Sequence, residues 1–190
     1  MTGDGEDQCR SDIFSGAETM MSDVQTALST QIDPATVEPL YLRPAAILVR
    51  PGNLDHITGM TDLFKPGHHI LVVNGAGQQG LWEDVTGRTG KIADIRAFRK
   101  NIAVVAGNSA TARADWIKDK SLDAWLIWNI WQVANPKLAT TVSIAPQYEI
   151  YRDAGIALTY AGEKRPIVKR FADFLVSPQG KAIFVKWDWQ

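Results

Sequence analysis

The spacing of apolar residues changes period repeatedly along this chain, and each change marks an element. After a polar start, DIF reads as the end of a short strand and SG as a turn. AETMMSDVQTAL then reads as an amphipathic helix that turns Met20, Met21, Val24 and Leu28 inward until Asp33 and Pro34 stop it. LYLRPAAILVRPGN is β-rich with prolines at 44 and 51, which a central strand tolerates only at its ends or at a bend, so it is expected to cross between two regions. ITGMTDLFKPG predicts a short helix and turn. HHILVVN is a continuous apolar run of the kind buried on both faces of a parallel sheet, and GAGQQG leads from it into a short helix, LWEDV. The rhythm repeats: a helix around DIRAFRKN, a strand IAVVAG, a helix from Asn108 or Ser109 through Trp116, a strand AWLIW, and a helix NIWQVAN closed by Pro136. TTVSIAPQYEIYRDAGIALTY is again β-rich, and PIVKRFADFLVSPQGKAIFVKW predicts two helices split at Ser177 and Pro178. Strands alternating with helices predict an α/β architecture, without internal repeats or a low-complexity linker.

Composition narrows the function classes. With 190 residues, 45% of them hydrophobic, the chain can bury a core in one large domain or two small lobes. Twenty Lys and Arg against 21 Asp and Glu leave a net charge of −1, so no whole-protein field draws it to nucleic acid or an anionic membrane. A charged ligand must be met locally. Apolar runs such as AAILV and ILVV fall far short of the ~20 residues of a membrane-spanning helix. MTGDGEDQCR lacks the basic start and apolar stretch of a signal peptide, so the chain as written carries no export address. Cys9 is the only cysteine, and His56, His68 and His69 lack the H-x-x-x-H spacing, so neither a disulfide nor a metal is expected. Cys9 is read as an incidental exposed thiol.

Residues 75 to 80, GAGQQG, fit the G-x-G-x-x-G pattern of dinucleotide sites. A working fingerprint also needs a full helix behind the glycines and a second strand ending in Asp or Glu roughly 20 residues on. Gly87 and Gly90 break the helix early, and the next strand ends in Gly107 and Asn108, so a dinucleotide is not expected. The physical part of the motif survives. A buried strand that ends in glycines and turns into a helix offers backbone N–H groups and the positive end of a helix dipole, and Asn74 and Gln78 add side-chain amides. An anion cradle and a plain tight turn are equally good readings of these residues alone.

The blocks YLRPAAILVRPGN, VVNGAGQQGLWED, FRKNIAVVAGNSATARADW, DAWLIWN, YRDAGIALT and FADFLVSPQGKAIFVKW resemble, in order from about residue 11 to the end, the periplasmic solute-binding proteins of ABC-type transport. More narrowly, the chain is similar to the branch of the accessory colonization factor AcfC, related to molybdate- and sulfate-binding proteins. The resemblance implies a type II fold of two α/β lobes joined by crossing segments, with the ligand in the cleft. Lobe one would be 1–44 plus 148–190 and lobe two 45–147, with crossings near 40–50 and 146–158. It also implies a small anionic ligand, an ABC permease as partner, a periplasmic location for the family, no cofactor, no nucleic acid and no catalysis; homodimers occur among relatives. Relatives open with a signal peptide and with a strand, helix and strand of lobe one that carry an early ligand loop. The recognisable part here begins at SDIFSG, as in a fragment, a chain with its start codon assigned too far downstream, or a truncated gene. Lobe one is then expected to expose apolar surface and unpaired strand edges, with poor solubility.

Carried onto this sequence, the resemblance implies that Ser15 of DIFSGAE offers a hydroxyl to the ligand; a plain turn serine is the alternative. Asn74, Gly75, Ala76, Gly77 and Gln78 form the lobe-two cradle, where residue chemistry and resemblance agree. Arg43, between Leu42 and Pro44 at the first crossing, either pairs bidentately with an oxyanion or anchors the hinge to a carboxylate. Asn129 follows AWLIW at the carboxyl end of a strand, the usual ligand edge of an α/β sheet. Tyr151 and Arg152 lie on the returning crossing. For Asn129, Tyr151 and Arg152 the competing reading is a satisfied hinge or loop residue. Trp125, Trp128 and Trp131 invite sugar stacking, but their apolar surroundings mark them as core; Trp82 packs under its short helix, and Trp187 and Trp189 pin the tail. Micromolar binding needs about 8 kcal/mol, against ~0.3 to 1 for a helix terminus and roughly 1.5 to 3 for a charged hydrogen bond. A chain lacking the early loop is therefore expected to bind weakly or not at all. The leading reading is a solute-binding protein for a small oxyanion or a phosphorylated or carboxylated metabolite. The alternative is a cytoplasmic ligand-sensing domain of a regulator. An enzyme ranks third, since no G-x-S-x-G elbow, P-loop lysine or metal cluster appears.

Overall fold

A computed structural model of the chain describes residues 11–16, 25–75 and 77–190. The helix expected over Met20, Met21 and Val24, together with Cys9 and Ala76, therefore lies wholly or partly outside the described residues. The strands are β1 Ile13–Gly16, β2 Glu38–Val49, β3 Ile70–Val73, β4 Ile102–Ala106, β5 Ala124–Trp128, β6 Thr140–Val142 and β7 Tyr151–Leu158. The helices are α1 Leu81–Gly87, α2 Ile92–Asn101, α3 Ser109–Lys118, α4 Ile130–Ala134, α5 Tyr160–Glu163, α6 Pro166–Val176 and α7 Pro178–Lys186. The expected α/β class and type II architecture hold. Among the described residues no helix is long and apolar enough to cross a membrane, and no group of three or more His, Cys, Asp or Glu could hold a metal ion.

The chain divides into two compact units: Met1–Tyr41 with Asp153–Ile183, and Leu42–Arg152 with Phe184–Gln190. It passes from one to the other inside β2, inside β7 and inside α7. The last passage has no counterpart in the sequence reading, which kept 148–190 together.

In the second unit the strand order is β2-β5-β3-β4, with β6 on the other side of β2. β3 runs parallel to β4 and β5, whereas β2 runs antiparallel to β5, from Ala45 opposite Trp128 to Val49 opposite Ala124. The apolar runs ILVV and AWLIW become the two central strands, with every residue buried. IAVVA becomes the edge strand β4, with alternating exposure that leaves Val105 in solvent. Pro44 lies inside β2 rather than at its end, one residue before the β5 ladder begins, where no bond to β5 is required of its missing N–H. One apolar core fills this unit. Trp116 and Trp125 are tilted neighbours with ring centroids 6.0 Å apart, and Trp125 lies 5.9 Å from Trp131. Trp82 stacks on Phe98 at 5.9 Å under α1.

A buried amide locks the entry to this core. Asn101 ends α2 and donates from Nδ2 to the carbonyls of Leu63 (2.8 Å) and Lys65 (2.6 Å), tying the 3-10 turn Asp62–Phe64 to the helix. Replacing Asn101 by alanine leaves both acceptors short of a partner and is expected to cost about 2 kcal/mol in urea unfolding with an unchanged m-value.

The first unit buries less. β1 pairs antiparallel with β7 from Ile13 opposite Leu158 to Gly16 opposite Gly155. Its small apolar cluster joins Ile32 and Ala157 with Phe14, Leu28 and Val37. Arg165 pairs with Asp12, and the Tyr41 hydroxyl donates to the Leu175 carbonyl at 2.5 Å. The face of α6 carrying Ile167, Phe171 and Phe174 is exposed among the described residues.

Candidate functional site

Because β3, β4 and β5 are parallel, their carboxyl ends come to one edge of the second unit's sheet, the edge where α/β sheets hold ligands. The antiparallel β2 brings its early residues to the same edge, since Ala45 faces Trp128, the last residue of β5. Four separate stretches meet there: Asn74–Gln78 after β3, Gly107–Ser109 after β4, Asn129 after β5, and Arg43 on β2.

Close approach governs the first two stretches. The Asn74 N–H donates to the Ala106 carbonyl at 2.9 Å, and a Cβ on Gly75 would overlap the carbonyl oxygen of Gly107. Gly77 turns the loop with φ of 78°, open to glycine and costly for other residues. Gln78 then points inward, 3% exposed, and its Nε2 meets Ser109 Oγ at 2.5 Å. Ser109 opens α3, whose N-cap Asn108 accepts from the Thr111 N–H at 2.8 Å. Oε1 of Gln78 is buried without a hydrogen-bond partner among the described residues.

The loop departs from the expected helix-terminus cradle. The N–H of Gln78 closes a turn onto the Gly75 carbonyl at 3.0 Å, and that of Gly77 donates to Oε1 of Gln79 at 3.2 Å. α1 starts only at Leu81, after a left-handed Gly80, and Glu83 and Asp84 lie in its first turn. The loop's own turns spend two of the donors that the sequence pattern left open, those of Gly77 and Gln78, and these acids offset the positive end of the helix dipole.

Arg43 reaches this edge from β2. Its guanidinium lies over Trp128, 4.7 Å from the ring centroid, and 5.8 Å from that of Trp189. Its Nη2 is 3.9 Å from where a side chain on Gly77 would begin, so the arginine abuts the glycine loop. Asn129 is 4% exposed; its N–H donates to the Pro44 carbonyl at 3.1 Å, and its Nδ2 to Asp188 Oδ2 at 2.5 Å. Its Oδ1, like Oε1 of Gln78, is buried with no partner among the described residues.

The other expected positions are placed as follows. Asn74 is exposed at the loop's start, and Ala76 lies outside the described residues. Tyr151 is exposed, its hydroxyl 3.4 Å from Glu149 Oε2. Arg152 donates to Asp84 Oδ2 of α1 at 2.5 Å. Ser15 belongs to the first unit, exposed on β1 opposite Ile156. Ser109, Asp84, Asp188 and Trp189 were not singled out by sequence as parts of this edge. The helix start at Asn108 or Ser109 was legible; its tie to a loop 31 residues earlier was not.

Comparison with known proteins bears on this edge. Residues 5–190 match the profile of the bacterial extracellular solute-binding proteins. The structure of PEB3 bound to L-phospholactate is 32% identical over 95% of this chain and 79% of that chain, with a TM-score of 0.86. Peb3 from Campylobacter jejuni, in a separate structure, is 30% identical over the same shares of the two chains, with a TM-score of 0.84. The sulfate-binding protein SubI from Mycobacterium tuberculosis is 15% identical over 94% of this chain and 68% of that chain; its TM-score of 0.77 marks a shared fold. No curated protein matches the chain.

Proposed function

Because the chain belongs to the bacterial extracellular solute-binding proteins, the family that serves ABC transporters outside the cytoplasm, we propose that it captures a small oxyanion or a phosphorylated or carboxylated metabolite and delivers it, chemically unchanged, to an ABC permease. One juxtaposition carries the reading. A guanidinium from β2 lies against the glycine loop that follows β3, beside two buried amides that each keep an oxygen without a partner among the described residues. Arg43 supplies the charge and the planar donor pair for an oxyanion. Gly75 and Gly77 let the loop backbone approach, Asn74 and Gln78 read the ligand's polar edge, and Oδ1 of Asn129 accepts from the one P–OH that a phosphate monoester keeps below its second pKa of about 6. Ser109 fits either orientation of the Gln78 amide: its hydroxyl accepts from Nε2, or donates to Oε1 and frees Nε2 for the anion. Tyr151 and Arg152 flank these residues, and Arg152 reaches the ligand by exchanging Asp84 for it. The bound L-phospholactate of PEB3 favours a phosphorylated carboxylate over a bare inorganic anion.

The contacts of this unit set the scale. One charge-assisted pair of roughly 2 kcal/mol and about three neutral hydrogen bonds of ~1 kcal/mol each give about 5 kcal/mol, a Kd of about 0.2 mM. Titrating the labelled chain with L-phospholactate to about 20 mM is expected to shift the indole N–H resonances of Trp128 and Trp189 and the amide of Gln78 with a sub-millimolar midpoint. Equal shifts with uncharged glycerol, or none with L-phospholactate, would overturn the assignment of this edge to an anion.

A further inference from the structure

The segment after α7 is built around an unusual residue choice. The Trp189 N–H returns to the Phe184 carbonyl at 3.1 Å and the Asp188 N–H to the Val185 carbonyl at 2.9 Å, the paired bonds of a Schellman cap. Its apolar contact is present too, with the Phe184 and Trp189 rings edge-on at 5.6 Å. Such a cap needs one left-handed residue and usually takes glycine. Here Asp188 holds it, with φ of 64°. The chain then bonds reciprocally to β2: the Leu42 N–H donates to the Gln190 carbonyl at 2.7 Å and the Gln190 N–H to the Leu42 carbonyl at 2.9 Å. This bridge fixes Trp189 beside Arg43.

A side chain at the strained position is explained by what it holds. The carboxylate and carbonyl of Asp188 both face Asn129 Nδ2, at 2.5 and 3.2 Å. Both partners are acceptors only, so the amide cannot turn over, and Oδ1 of Asn129 is fixed as the acceptor. Trp189 adds a second ring beside a guanidinium that already lies over Trp128, which limits its swing and leaves its in-plane N–H groups as the direction of bonding.

We propose that Asp188 and Trp189 are positioning residues of the ligand site: Asp188 sets the orientation of Asn129, Trp189 holds the guanidinium of Arg43, and the segment Trp187–Gln190 thereby belongs to the binding machinery of the second unit. The proposal rests on the reading of this sheet edge as the anion site.

Full-chain variants titrated with L-phospholactate at about pH 5, where its phosphate keeps one proton to offer Oδ1 of Asn129, separate the two. Asp188→Gly keeps the left-handed cap and relieves its strain, so the melting temperature is expected to hold or rise while binding weakens about tenfold. Trp189→Leu is expected to weaken binding about tenfold, and Trp189→Phe, which restores a ring, to stay within about threefold of the parent. If Trp189→Leu fails to fold, Asp188→Gly and Trp189→Phe carry the test. Asp188→Gly and Trp189→Leu binding like the parent while Arg43→Ala weakens it overturns the positioning role and leaves the site standing. Trp189→Phe binding no better than Trp189→Leu overturns the part given to the ring. A parent that gives no shift, or an Arg43→Ala chain that binds like the parent, overturns the reading of the edge itself and this proposal with it.

Discussion

Replacing Gly75 by alanine is expected to cost about 3 kcal/mol, a fall of several degrees in melting temperature, although it adds one methyl group at a loop. The cause is backbone, not side-chain, crowding. The new Cβ would overlap the carbonyl oxygen of Gly107 and come within 3.2 Å of its carbonyl carbon, and neither atom can swing away as a side chain would. Relief requires the ends of β3 and β4 to part. That strains the bond from the Asn74 N–H to the Ala106 carbonyl and the last register pair, Val73 with Ala106. It also pulls Gln78 from Ser109. Gly107→Ala is the built-in control. A Cβ there meets nothing within 4 Å and its φ is not positive, so the change is expected to be neutral or to stabilise by up to about 0.5 kcal/mol. Urea unfolding of both variants decides the matter: a Gly75→Ala cost below about 0.5 kcal/mol would show that the two loops are not held at this distance.

The sheet was legible where burial writes itself as a run of one residue class. HHILVVN was read as a strand buried on both faces and AWLIW as a strand, and they are the central pair β3 and β5. Trp125 and Trp128 were read as core for the same reason and Trp82 as packed under its short helix, and all three are buried; Trp131, also read as core, is only half-buried against it. The glycine loop was legible in place but not in hydrogen bonding. Sequence spacing does not say that Gln79 folds back onto the Gly77 N–H, or that α1 waits until Leu81 to begin. Least legible were pairings between distant segments. Asn129 and Asp188 are 59 residues apart and Gln78 and Ser109 are 31 apart, and no periodicity connects them. The tail WDWQ concealed its cap because the usual marker, glycine at the left-handed position, is replaced by an aspartate with another task. Arg43 was placed at the first crossing with two roles open. Its guanidinium lies among two tryptophan rings and a glycine loop, neighbours that no spacing along the sequence reveals.

Arg43→Ala is expected to weaken L-phospholactate binding about 30-fold, about 2 kcal/mol, enough to push a sub-millimolar midpoint to about 6 mM, still inside a titration to about 20 mM. The size follows from what is lost. A charge-assisted hydrogen bond contributes roughly 1.5 to 3 kcal/mol, and the flanking Arg152 must first give up Asp84 before it can replace the lost one. Arg43→Lys separates charge from geometry. An ammonium keeps the charge but lacks the planar fork and is poorly matched to the space beside Trp128 and Trp189, so about tenfold weakening is expected in place of recovery. Stability should change little in either variant, because the site is at the sheet edge and the apolar core beneath it is untouched. Salt provides the independent check: parent binding should fall as sodium chloride is raised, and the residual binding of Arg43→Ala should be nearly flat. A parent insensitive to salt, or an Arg43→Lys chain as tight as the parent, would mean that the guanidinium packs between its tryptophans without meeting the ligand.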